Sequence, residues 1–237
     1  MVYNTGIMSW GTRRRNFIVT IILLAILIPV AKVVFSILHD PPTCIDGKQN
    51  GDEEGVDCGG TCPLICQQEA REPIVLWKRS FEISPGLYNV ITMIENPNIN
   101  AGLTDVPYIF KLYDDKNVLL TERKGLIRIP PKAIIPIIES GLSTGKLRAR
   151  RLAFEFEEEF VWNKELPKRP LVVVSQKEIV DTESLPRINA TLSSISIGTI
   201  SDIDVIAIVY DTDGNAVCSS STFVESISKD EEVPVVF

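Results

Sequence analysis

The sequence predicts a mainly β protein in three parts: an N-terminal transmembrane helix, a short cysteine-rich segment and two antiparallel β-sandwich domains. Three observations predict it. A long apolar run follows three arginines near the start, four of the five cysteines lie between Cys44 and Cys66, and the rest breaks into short segments rich in Val, Ile, Phe and Tyr separated by Pro, Gly, Asn and Asp. At 237 residues and 45% hydrophobic content the chain is long and apolar enough for one or two domains with cores of their own.

The helix comes first. From Phe17 to Leu38 only Lys32 is charged. At about 1.5 Å per residue this run reaches ~33 Å, enough for a hydrocarbon core of about 30 Å. It has no polar face, which argues against a buried core helix. Pro29 would kink it without preventing insertion, and Lys32 can snorkel to an interface. The run is longer than a signal-peptide apolar region and no small-x-small site follows it, so retention as an anchor is expected. Arg13, Arg14 and Arg15 on one flank and His39-Asp40 on the other place residues 1–16 in the cytoplasm, the span at 17–38, and everything after it outside. The four basic residues before His39 have no acid among them, so the body is more acidic than the net charge of −7. Such a body repels nucleic acid.

The juxtamembrane segment, residues 39–71, contains "CIDGKQNGDEEGVDCGGTCPLIC". Outside the membrane Cys44, Cys58, Cys62 and Cys66 read as two disulfides, with three possible connectivities, and a cysteine zinc site is the alternative. A segment this short cannot bury a core, so it needs cross-links. Asp46 to Asp57 overlaps an EF-hand calcium loop, with Asp46, Asn50, Asp52 and Asp57 as ligands and Gly51 at the sharp turn. Lys48 stands at a ligand position, the last acid is Asp rather than Glu, and no helical periodicity flanks the loop. A solvated acidic turn explains the same residues. The string C-x-D-G-x-x-N-G-D-E-x-G-x-D-C-G-G-x-C resembles a short element found beside the anchor in many uncharacterised bacterial surface proteins, including small-genome lineages. It implies no activity.

Residues 72–164 read as the first sandwich. In "RRLAFEFEEEFVW", Leu152, Phe154 and Phe156 alternate with Arg151, Ala153, Glu155 and Glu157, as a half-buried strand requires. Outward solvated charge accounts for Glu155, Glu157, Glu158 and Glu159 better than an acid/base pair does. Residues 165–237 read as the second sandwich, because "VPYIFKLYDDKNVLL" is echoed by "DVIAIVYDTDGNAVC", with Tyr113-Asp114 and Tyr210-Asp211 at corresponding places. The spacing is that of a domain rather than of a solenoid repeat. "NKELPKRP", Asn163 to Pro170, is expected to be a stiff polar linker.

"FKLYD", Phe110 to Asp114, matches the pattern of the bacterial FxLYD domain, which this part of the chain resembles; "AIVYD" departs from it at Ala207 and Val209. The resemblance implies immunoglobulin-like sandwiches in a cell-envelope setting and no catalytic function. The motif also has a structural explanation: Phe110 and Leu112 point inward, Tyr113 caps an edge, and Asp114 or Asp211 bonds the backbone of the following turn. Cys218 is expected to be a small buried hydrophobe on a strand. Asn189-Ala190-Thr191 fits a glycosylation acceptor by chance. The only histidine is His39, and no phosphate-binding loop, Gly-x-Ser-x-Gly or Ser-x-x-Lys occurs, so no enzyme is expected. The expected partners are the membrane and a protein of the cell envelope; calcium is the one cofactor the acidic loop suggests.

Overall fold

The computed structural model of the chain describes residues 10–38, 43–168, 171–181 and 186–237. The His39-Asp40 flank, most of the expected cytoplasmic N-terminus, and Arg169-Pro170 of the expected linker lie outside them. Helix α1 runs Trp10–Leu38, continuing past Pro29 and starting before the arginines. From Phe17 to Phe35 every residue is exposed, and Trp10–Phe35 is long and apolar enough to cross a membrane. In water that surface would be costly; in a bilayer it matches its solvent.

Among the described residues twelve strands follow: β1 (Ile74–Ser84), β2 (Leu87–Glu95), β3 (Ala101–Tyr113), β4 (Leu119–Ile129), β5 (Ile134–Ser143), β6 (Arg151–Phe156), β7 (Asn163–Lys164), β8 (Val172–Val180), β9 (Arg187–Ser194), β10 (Ile200–Tyr210), β11 (Ala216–Ile227) and β12 (Glu232–Val236). All named pairings are antiparallel. The first sandwich packs sheet β1-β2-β5 against sheet β4-β3-β6; the second packs β8-β9-β12 against β10-β11. Alternation in β2 and β3 sends Val90, Ile94, Val106, Tyr108, Phe110 and Leu112 into the first core, where Phe154 of β6 lies 4.9 Å from Phe110, ring centre to ring centre. The second core is smaller: Ala190, Leu192, Val224, Ile227 and Val235, with Ile203 and Val205 half-buried against them. At the β1–β2 turn Gly86 has φ +76, and a Cβ there would sit 1.9 Å from the Gly145 carbonyl oxygen, so this crossing needs glycine.

The expected linker is only partly one. Asn163 and Lys164 form β7 on Gly102 and Ala101 of β3, and Glu165 donates its N–H to Asn100 O and pairs with Arg128. The chain therefore stays bound to the first domain through Glu165. The likeness between the domains extends well past the Tyr-Asp hairpins. Asp105 of β3 and Asp202 of β10 both take positive φ, 52° and 56°; Pro136 faces Met93 as Pro234 faces Thr191; Asn98 N bonds Asn96 Oδ1 as Ser196 N bonds Ser194 Oγ. Strands β1 to β5 correspond in order to β8 to β12.

Candidate functional site

The cysteines pair as Cys44–Cys62 and Cys58–Cys66, an interleaved connectivity. Cys44, Glu53 and Cys62 place potential ligand atoms within 4.8 Å of one another, but both sulfurs belong to one disulfide and are not thiolates. Around them the acids serve the backbone. Asp57 Oδ1 accepts the N–H of Asp46 at 2.9 Å and, with Oδ2, that of Gly47; Asp46 accepts Lys48 N and, at 2.8 Å, Asn50 Nδ2; Glu53 Oε2 accepts Asn50 N. The Asn50 amide, with the Lys48 N–H, holds the Asp46 carboxyl below its ordinary range. Asp46, Asn50 and Asp57 are thus brought together as a hydrogen-bonded turn, and Asp52 contributes its main chain. Gly60, at φ +50, crosses so close to Asp52 O that a Cβ would lie 1.6 Å from it.

This knot is docked. Leu64 bridges Asn163, Ile65 N donates to Trp162 O at 2.9 Å, and Lys164 donates its N–H to Pro63 O at 2.7 Å and its ammonium to Gly60 O. Ile65 enters the first core beside Trp162, which is 2% exposed. An aromatic run, Phe154, Phe156, Phe160 and Trp162, with successive centroids 5.1 to 5.9 Å apart, carries that core down to the knot. Arg71 and Asn98 exchange two hydrogen bonds, at 2.9 and 2.7 Å, and hold the exit. "PLIC" followed by "FVWNK" was the available signal: two apolar stretches flanking cysteines and linker, each too short for a strand of a core. Glu69 lies against Glu54, which raises its pKa by hydrogen bonding and repulsion.

At the other end of the sandwiches, both Tyr-Asp hairpins are built the same way. Asp114 Oδ1 accepts Lys116 N and Val118 N, each at 2.8 Å; Asp211 Oδ1 accepts Asp213 N at 3.0 Å and Asn215 N at 2.7 Å. Asn117 and Gly214 supply the positive φ that each turn needs. Phe110 and Leu112 are fully buried, while Tyr113 lies under the Arg151 guanidinium at 4.0 Å. Tyr210 is exposed and meets Trp77 of the first domain edge-on at 6.4 Å, and Asn89 Nδ2 reaches Ser219 O at 3.5 Å. Single-strand periodicity contains no signal for either cross-domain contact.

One expectation changes. Cys218, expected to be buried, is exposed and is the free cysteine. Its partner across the hairpin is Val209, but β12 has five residues where β5 has ten, and the half of β5 that pairs Leu87 and Tyr88 has no counterpart over this end of β11. The acids in and just after β6 are exposed, as outward-facing strand charge is, and two of them form surface ion pairs: Glu155 with Lys111 at 2.8 Å and Glu157 with Lys124 at 2.5 Å, which raises both lysine pKa values. Neither pair converges on a nucleophile. Compared with protein-family models, curated proteins and solved structures, the chain matches none, so its function has to be argued from this geometry.

Proposed function

We propose that the chain is a single-pass, membrane-anchored, non-enzymatic structural or interaction protein of the cell envelope, with its N-terminus cytoplasmic and its FxLYD-like body outside. The observation that carries this reading is the docking of the disulfide knot on the first sandwich, a few residues after an exposed apolar helix. A flexible tether needs no such fixture; a displayed body held at a set distance from a bilayer does. Two disulfides in sequence with the helix favour the oxidising side of a membrane. The acidic body speaks for protein rather than nucleic-acid partners.

The calcium-dependent reading is the weaker one, because the Asp57 oxygens already accept backbone N–H groups and those of Asp46 accept the Lys48 N–H and the Asn50 amide. Millimolar calcium is expected to leave the melting temperature unchanged, and a rise that Asp57→Asn abolishes would restore that reading. Topology has a built-in reporter, since Cys218 is exposed and the other four cysteines are bonded. A membrane-impermeant maleimide added to spheroplasts expressing the chain is expected to label Cys218. Labelling that appears only after lysis would overturn the proposed orientation.

A further inference from the structure

In the first sandwich, β3 is hydrogen-bonded on both edges, by β4 and by β6. Its counterpart β10 is paired on one edge only, and among the described residues no hydrogen bond is made along the other. The difference shows in the core. Tyr108, Phe110 and Leu112 are 6%, 0% and 0% exposed, whereas their counterparts Val205, Ala207 and Val209 are only half-buried. Ala207 also stands where Phe110 stands, so the site opposite it is wider. We infer that the free edge of β10 accepts an extended segment of a partner polypeptide, whose alternating large apolar residues complete the second sandwich as β6 completes the first.

The occupant's chemistry follows from β6. There Leu152, Phe154 and Phe156 face Leu112, Phe110 and Tyr108 across the ladder, and Arg150 N and Glu157 N bond Tyr113 O and Pro107 O at its ends. A segment on β10 would set large residues, aromatic at the centre, against Val209, Ala207 and Val205. On the outer face the Glu155 partner Lys111 is replaced by Ile208, which favours an uncharged residue, and Pro107 is replaced by Asp204, which favours a basic one. A second copy of β10 fits less well, because it would set Val and Ala against Val and Ala and leave the volume of Phe154 unfilled. β10 also lacks the lysines, prolines and inward charges that protect exposed edges; between Ile203 and Val209 its one charge is Asp204.

This inference deepens the display reading but fails separately from it, since binding in detergent does not depend on membrane orientation. The probe is a fluorescein-labelled peptide of residues 149–158 carrying Glu155→Thr and Glu157→Lys, titrated by anisotropy against the full chain in detergent micelles. Saturable binding is expected. Peptide groups at 107, 109, 111 and 113 face β6, so those at 204, 206, 208 and 210 face the open edge. Ile208→Pro removes a donor there without touching the β11 ladder and is expected to weaken binding about tenfold or more. Asp204→Pro installs the residue that β3 itself carries and gives a second, better-tolerated variant. A peptide of the same composition with Leu152, Phe154 and Phe156 moved out of alternation should not bind. The inference is overturned by absent saturable binding, by equal binding of the rearranged peptide, by wild-type affinity in both proline variants, or by a wild-type dimer that Ile208→Pro dissolves, which would assign the edge to a second copy.

Discussion

Asp211 does at one residue what a turn needs: its carboxylate collects the N–H groups of Asn215 and Asp213. The Asn215 backbone donor, with the Asn215 amide and the Asp213 N–H, holds its pKa below the ordinary aspartate value of about 3.9. A lowered folded-state pKa contributes stability above that value and loses it as pH falls through the lower one. Asp211→Ala is therefore expected to flatten the acid limb of the melting-temperature profile below pH about 4. Glu69 has the opposite sign: its raised pKa favours the protonated form, so the contribution is present in acid and is lost as pH rises. Glu69→Gln should raise the melting temperature at neutral pH and change it little in acid. In the core, Phe110→Ala should cost about 3–5 kcal/mol in denaturant unfolding. Phe110, Leu112 and Asp114 were legible from alternation and turn chemistry. Cys218 was not, because burial there depends on how far β12 extends over it, and a strand's own pattern does not record its neighbour's length.

Among the elements, the knot and β7 are the joint whose strength can be measured. Ile65 is buried beside Trp162 and its N–H is bonded to the Trp162 carbonyl. Ile65→Asp would place a charge in that contact and is expected to expose residues 43–72 to limited proteolysis while the body stays folded. Mild reduction should do the same, and replacing both Cys58 and Cys66 by Ala should cost about 2–4 kcal/mol. The strands themselves were readable, as was the hairpin repeat at a spacing of 97, from Tyr113 to Tyr210. The spacing becomes 98 in the outer strands, from Asn96 to Ser194 and Pro136 to Pro234, because connections of unequal length intervene. A comparison at the fixed period of the turns therefore sets these strands one residue out of step, although "YNVITMIENPN" and "PRINATLSSIS" are recognisable as matching strands. The acidic loop was legible as a turn; the pairing of its cysteines was one of three and needed coordinates.

For the whole molecule, the sequence set out the order of parts: helix, cysteines, sandwich, sandwich. Its one sign that the cysteine segment is part of the first sandwich's lower surface was the pair of short apolar stretches "PLIC" and "FVWNK", and it held none that Trp77 and Asn89 meet the second domain. Deleting residues 1–38 is expected to move the protein from the membrane pellet to the aqueous fraction with both disulfides intact, as judged by gel mobility with and without reductant. Trp77→Ala should leave each domain's unfolding in place but draw the two transitions apart in calorimetry, since Trp77 is one of the contacts that couple the domains.

The interleaved disulfides also determine how the protein bears load. Between Cys44 and Cys62 lie 18 residues of sequence separation, ~60 Å of chain at about 3.4 Å each, that cannot unspool while the bonds hold. A pull on the outer domain would reach the bilayer along a short, inextensible path, and reduction would lengthen that path several-fold. Force spectroscopy of the membrane-held chain should record an added extension of about that length only in the presence of reductant, with the knot acting as a redox-set limit on how far the body can travel from the membrane.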